Sequence, residues 1–155
     1  MMVHETDRAV ARQIEEGFAR IRQTMQTLAR PEGWEVEPPD FIAWKLARLG
    51  DLRDLQNLLH KQFDREEEGG FFHDVLRMAP QHAVRVENLL EEHHKLIADL
   101  EHILRMLKGV HAPASPRLAR IRDRFTDLVA HFERHEAEEN RLLQDVYMQD
   151  YGSGD

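Results

Sequence analysis

Apolar residues recur at intervals of three and four positions through four stretches of the chain, which is the spacing of an amphipathic helix. The predicted helices cover about residues 7–29, 40–68, 80–108 and 116–148, with Thr6 as the N-cap of the first. Proline and glycine separate them, and residues 71–78 are predicted to be a continuation of the second helix or a short extra turn. The tail, about residues 149–155, is predicted to be irregular. Because no stretch has the alternating pattern of a β-strand, the sequence predicts an all-α fold. The expected architecture is an antiparallel up-down four-helix bundle that forms a single domain over residues 1–155.

The inward-facing side of the fourth predicted helix changes from apolar to polar residues part-way along the helix. Its apolar positions are Leu118, Ile121, Phe125, Leu128 and Phe132. The same spacing then reaches His135 and Glu139 before it returns to Leu142 and Val146. An imidazole and a carboxylate therefore occupy two consecutive core positions. Because an unpaired buried carboxylate is costly, this pattern predicts a bound cation or a hydrogen-bond network in the core.

Two other helices show the same replacement of apolar residues by polar ones. The seam of a helix is its row of inward-facing positions. In the second helix the seam changes from leucines to Gln62 and Glu66, and in the third helix His93 lies between apolar seam residues. The first helix is apolar throughout its seam, with Phe18 at the centre. Imidazole and carboxylate groups that project into a bundle core are typical of non-haem iron or manganese sites. His131, one turn before His135, is a weaker candidate ligand, as is Gln62.

Composition removes several classes of function. The chain has no cysteine, which excludes disulfides, zinc–thiolate sites and iron–sulfur clusters. Its formal net charge is −8 without a basic stripe, so no nucleic-acid partner is expected. No apolar run approaches the roughly 20 residues of a membrane span, and no signal peptide is recognisable, so a cytoplasmic location is expected. Neither a nucleophile–base pair nor a phosphate-binding glycine loop stands out, so a catalytic role is not the favoured interpretation.

Three segments resemble motifs of the hemerythrin-like, or HHE cation-binding, family. Residues 90–96 (LEEHHKL) and 135–143 (HEAEENRLL) are similar to that family's third- and fourth-helix motifs, and residues 62–72 (QFDREEEGGFF) to its second-helix motif. The resemblance spans nearly the whole chain. It implies an up-down bundle around a carboxylate-bridged di-iron centre. It also implies a role in dioxygen binding, in iron storage or sensing, or in the response to oxidative or nitrosative stress.

The resemblance also implies roles for individual residues. Glu66 and Glu139 match the bridging carboxylates of the family, and His93 and His135 match terminal histidine ligands. The chain departs from the family pattern at two ligand positions. Gln62 stands where the second-helix motif begins with histidine, and the first helix has no histidine near Phe18.

The departures leave more than one function open. The leading prediction is an iron-binding protein, holding one ion or a weak pair, that handles iron or a small gas such as dioxygen or nitric oxide. The alternative is a metal-free hemerythrin-fold interaction or regulatory module, in which the four polar residues form a hydrogen-bonded cluster left from a lost site. Di-iron redox catalysis, such as peroxide reduction, is the third interpretation.

Overall fold

The computed structural model describes residues 5–152, and the side chains of residues 8–147. The described chain is helical and contains no strand. The five helices are α1 (Glu5–Leu28), α2 (Phe41–Glu67), α3 (Phe71–Met78), α4 (Ala83–Lys108) and α5 (Pro116–Gly152). The four long helices pack against one another in a ring, with α1 on α2, α2 on α4, α4 on α5 and α5 back on α1. The prediction of an all-α chain of four long packed helices is therefore confirmed.

Helix boundaries follow local backbone chemistry, and some differ from the prediction. The predicted start of the last helix is confirmed: Pro116 is its first residue, and the Arg117 backbone N–H donates to Ser115 Oγ at 3.2 Å. The start predicted at Pro80 is wrong by three residues, because residues 80–82 form a separate 3₁₀ turn. Thr6 lies inside α1 and is not its N-cap. Gly70, with φ of 87°, breaks the chain between α2 and α3, so residues 71–78 form a separate short helix.

The end of α5 lies beyond the predicted one. The helix continues through residues 149–152, where an irregular tail was predicted, and Gly152 is the last residue that the structure describes. No proline or glycine interrupts residues 117–151, so the backbone meets no helix breaker before that glycine. Residues 153–155 of the predicted tail lie outside the described part of the chain.

The core contains the predicted seams of all four long helices. Phe18 and Met25 of α1 are buried, as are Leu52 of α2 and Leu100 of α4. Val10, at the edge of the α1 seam, is only partly buried. The polar seam residues are buried with the apolar ones, so the helical phase read from the sequence is confirmed on each helix. Among the helices of the described chain, none is long and apolar enough to cross a membrane.

Two tryptophans, Trp34 in the loop after α1 and Trp44 near the start of α2, lie at one end of this core. Trp34 donates its indole N–H to the carbonyl of Leu28 at 2.8 Å, and Trp44 donates to the carbonyl of Gly33 at 2.9 Å. Lys45, near the start of α2, donates to the carbonyls of Lys108 and Val110 at the end of α4. These bonds fix the loop and join the beginning of α2 to the end of α4.

Candidate metal-binding site

Three helices bring four of the predicted polar residues together in the core. Glu66 lies on α2, His93 on α4, and His135 and Glu139 one turn apart on α5, and each side chain is at most 1% exposed. Glu139 Oε2 lies 3.1 Å from His135 Nε2 and 3.9 Å from His93 Nε2. Glu66 Oε2 lies 3.8 Å from the same nitrogen of His93. The structure therefore places four side chains from separate parts of the sequence in direct contact.

Three of these residues form a group with the spacing of metal ligands. His93, His135 and Glu139 each offer one ligand atom, and these atoms all lie within 4.8 Å of one another. Because metal–ligand bonds to nitrogen and oxygen are about 2.0–2.2 Å long, a single ion can reach donors at this separation after small adjustments. Glu66 adjoins the group through His93. The donor set suits an ion bound by nitrogen and oxygen ligands.

Most polar atoms of this cluster are buried without hydrogen bonds. Within the described chain, both carboxylate oxygens of Glu66 and of Glu139, Nε2 of His93 and both ring nitrogens of His135 have no hydrogen-bond partner. The 3.1 Å contact between His135 and Glu139 does not have hydrogen-bond geometry. A buried unsatisfied polar group costs about 1–3 kcal/mol, and most folded proteins contain few of them. A cation that accepts these lone pairs would remove this cost, so the residues present fit a metal ion.

Burial controls the charge of the cluster. It lowers the pKa of His93 to about 3, with a smaller contribution from the charge of His94. It also lowers the pKa of His135 to about 3, and the charges of His93 and His131 act in the same direction. Burial raises the pKa of Glu139 well above its usual value. Both imidazoles are therefore neutral near pH 7 and can offer a lone pair to a metal.

A second layer of carboxylates contacts the outer nitrogens of the two histidines. His93 Nδ1 lies 3.0 Å from Glu67 Oε2, within hydrogen-bond distance, and His135 Nδ1 lies 3.6 Å from Glu92 Oε2. A carboxylate at Nδ1 favours the tautomer that carries its proton there, which leaves the inward Nε2 unprotonated. Metal-binding histidines commonly have such a partner, which orients the ring and raises its basicity. His93 thus has the hydrogen-bonded arrangement of a metal ligand, while Glu92 lies beside His135 Nδ1 beyond hydrogen-bond distance.

Sequence reasoning missed this second layer. It assigned no role to Glu67 or Glu92, because each lies one position off the apolar seam of its helix. The available signal was adjacency, since Glu67 follows Glu66 and Glu92 precedes His93. A carboxylate at the edge of a seam can reach across to the neighbouring helix, as both do here.

His131, the weaker candidate ligand, lies outside the group. Its Nε2 is 3.2 Å from Glu92 Oε2, and its Nδ1 is 4.0 Å from Asp99. The side chain is 22% exposed. His131 therefore contacts the carboxylate that contacts His135, one step further from the cluster.

Gln62, the other weaker candidate, is directed toward α1. Its side-chain N–H donates to the backbone carbonyl of Ile14 at 3.0 Å. Its Oε1 lies close to Gly17, where an added Cβ would come within 2.0 Å of it. The amide is thus used in the contact between α1 and α2, and its hydrogen bond does not reach the cluster.

Aromatic rings enclose the histidines. The Phe63 ring stacks on His93 with centroids 3.8 Å apart and planes 9° apart, and Phe72 lies 5.8 Å from the same imidazole. Phe18 of α1 meets His135 edge-on at 6.0 Å. These rings restrict the imidazoles and keep water away from them. Helix α1 thus encloses the cluster with the ring of Phe18 and supplies none of its four polar residues.

Comparisons of the chain with known protein families, with curated proteins and with solved structures find no match. The resemblance to the hemerythrin-like family is therefore supported by the three sequence motifs. The candidate site is supported by the geometry of its buried residues.

Proposed function

We propose that this protein binds non-haem iron through His93, His135 and Glu139, with Glu66 as a further carboxylate ligand. The observation that carries the proposal is the convergence of buried, unpartnered nitrogen and oxygen atoms from three helices. The second-layer contacts of Glu67 and Glu92 with the two imidazoles add support.

We also propose the hemerythrin-like, antiparallel up-down arrangement of the four long helices. Contacts between neighbouring helices support it, because residue numbers that rise on one helix meet numbers that fall on the next. The supporting contacts are Arg22 with Glu136 and Gln26 with Glu133 between α1 and α5, and Lys45 with Lys108 and Gln56 with Glu101 between α2 and α4.

Non-haem iron sites and catalytic zinc sites share this donor set, and the family resemblance is what favours iron. Two histidines and a carboxylate with open positions are typical of non-haem ferrous sites, and the absence of cysteine removes the softer thiolate ligands. When bound, iron would supply a redox-active Lewis acid suited to a small gas such as dioxygen or nitric oxide. The chain holds His93 in place through Glu67, Glu92 lies beside His135, and Phe18, Phe63 and Phe72 enclose the two imidazoles. The compact three-residue group favours one ion over a pair.

A metal-free interaction or regulatory module is the competing function. That alternative needs a cluster whose polar groups satisfy one another, for example by pairing protonated imidazoles with carboxylates. The unpartnered atoms of Glu66 and Glu139 do not meet this need, and burial keeps His93 and His135 neutral near pH 7. These observations favour the iron-binding proposal.

Metal content tests the proposal directly. Untagged protein would be expressed with added iron, purified without chelator and analysed by elemental mass spectrometry. We expect about one iron per chain. His135→Ala should lose the iron and keep its helical circular dichroism, while His60→Ala, which alters an exposed histidine of α2, should keep both. Protein that remains iron-free after anaerobic ferrous reconstitution would overturn the proposal, as would preferential retention of zinc.

The second layer has its own test. Glu67→Gln and Glu92→Gln should each weaken iron binding by about 10- to 100-fold, because the imidazoles lose the groups that orient them. Glu91→Gln is the matched control, since Glu91 is an exposed residue of the same helix as Glu92. Competition with a chelator of known affinity measures the change. Equal affinity in all three variants would show that the carboxylates do not position the ligands.

A further inference from the structure

A groove of about 480 Å³ lies between α1 and α2, and Gln62 is among the residues that line it. Polar and charged residues spaced three or four apart on each helix line much of it. They are Gln13, Glu16 and Arg20 on α1, and Lys61 or Gln62 followed by Arg65 on α2, with Gly17 between the α1 residues. The volume is in the range of small-molecule sites.

Gly17, near the centre of α1, is part of the lining of the groove. Gly17 presents bare backbone to α2, and the amide of Gln62 fills part of the space where a side chain would stand. Gln62 is only 3% exposed, so it forms a polar floor under the groove. A larger residue at position 17 would remove this floor or displace it.

The walls carry more positive than negative charge. Arg20, Lys61 and Arg65 oppose the single carboxylate of Glu16, which gives a local balance of two positive charges in a chain whose net charge is −8. In the described part of the chain, none of the three cations forms an ion pair with another side chain. Two are guanidinium groups, whose planar forks match phosphate oxygens.

The floor offers a hydrogen-bond acceptor. Gln62 uses its N–H to hold the carbonyl of Ile14, and among the described residues its Oε1 accepts no hydrogen bond. Gln62 Oε1 and the carboxylate of Glu16 are therefore available to a ligand that brings hydroxyl donors. A bare anion would use the cations and leave these acceptors unused.

We propose that this groove binds a small phosphate monoester that carries hydroxyl groups, of the sugar-phosphate class. The dianionic phosphate lies among Arg20, Lys61 and Arg65, and a hydroxyl group donates to Gln62. A long polyanion such as nucleic acid is disfavoured, because the positive charge is confined to one groove of an acidic chain.

Isothermal titration of the full chain with ribose 5-phosphate tests the proposal, with inorganic phosphate and ribose as separate probes. We expect saturable binding of ribose 5-phosphate that is tighter than that of either probe. Arg65→Gln should weaken it about three- to tenfold, because one charge-assisted contact is lost at an exposed site. Arg105→Gln, which removes an exposed arginine of α4 outside the groove, should leave the affinity unchanged.

Three outcomes would overturn the proposal. The first is the absence of saturable binding by ribose 5-phosphate, and the second is an equal loss of affinity in the Arg65 and Arg105 variants. The third is tighter binding of a single-stranded oligonucleotide than of the sugar phosphate. Running the titration on iron-free and on iron-loaded protein separates this site from the metal-binding site, and we expect the same affinity in both.

Discussion

Gly17 and Gln62 depend on each other across the boundary between α1 and α2. An alanine at position 17 would place its Cβ 2.0 Å from Gln62 Oε1, which is closer than any van der Waals contact. The amide would have to move and would give up its hydrogen bond to Ile14. We expect Gly17→Ala to destabilise the protein by about 1–2 kcal/mol, because overpacking outweighs the helix propensity that alanine adds. Urea unfolding monitored by circular dichroism measures the change.

A second glycine in a helix provides the matched control. Gly50 lies within α2, and apart from its chain neighbours and the adjacent backbone of the helix no described atom lies within 4 Å of its Cβ position. Gly50→Ala should therefore stabilise the protein by about 0.5–1 kcal/mol. In a Gln62→Ala background the cost of Gly17→Ala should largely disappear. An unchanged cost in that background would mean that the strain arises elsewhere.

The residues of the cluster could be predicted individually, but the directions of some side chains could not. Helical phase placed Glu66, His93, His135 and Glu139 in the core, and all four are there. Phase fixes where a Cβ points, while rotamers decide where a long side chain ends. Gln62 shares the same seam and yet turns its amide to α1, which only the bare backbone at Gly17 allows.

At the scale of the helix, Lys45 joins two elements at their ends. Its ammonium group donates to the carbonyls of Lys108 and Val110, where the α4 macrodipole leaves partial negative charge. We expect Lys45→Met to destabilise the protein by about 1–2 kcal/mol, because two carbonyls lose a charged donor and the apolar stem is kept. Thermal unfolding provides the measurement.

The control for this helix contact is Lys95→Met, which alters an exposed lysine of α4. It should change the free energy of unfolding by no more than about 0.5 kcal/mol. If both variants unfold at the same temperature, the contact of Lys45 with the end of α4 does not stabilise the protein.

Helix identity could be predicted from the sequence better than helix ends. Each long helix carries five or more seam positions, so its period is unambiguous. An end depends on one or two residues, as at Gly70, where a positive φ separates α2 from α3. Pro80 begins a 3₁₀ turn and not the helix itself. The sequence pattern does not distinguish between these two kinds of start.

At the scale of the whole molecule, the cluster sets the pH dependence of stability in the iron-free state. Glu139 keeps its proton in the folded chain at pH values where the unfolded chain has lost it. Stability is therefore lost as pH rises above about 4.5, the ordinary value of the group. Glu139→Gln, which cannot ionise, should gain stability relative to the unmodified chain as pH increases from 5 to 8. Urea unfolding in the presence of chelator measures the difference.

His93 and His135 act in the opposite direction. Both stay neutral in the folded chain down to about pH 3, while unfolded histidines gain a proton below about pH 6.5. Their contribution to stability is thus lost as pH falls from 6.5 toward 3. If the difference in the free energy of unfolding between Glu139→Gln and the unmodified chain does not grow with pH, the raised pKa of Glu139 is contradicted.

Bound iron should reverse the loss of stability with rising pH. Glu139 releases its proton when it binds iron, so iron binding becomes stronger as pH rises.

Three helices supply every member of the cluster, and the fourth only covers it. If α1 lifted away as a local unfolding unit, Glu66, His93, His135 and Glu139 would keep their scaffold while Phe18 left the site. The cluster then needs no permanent tunnel to exchange an ion with water. The rate of exchange would follow the opening of α1, and the amide hydrogens of this helix would exchange on the same time scale.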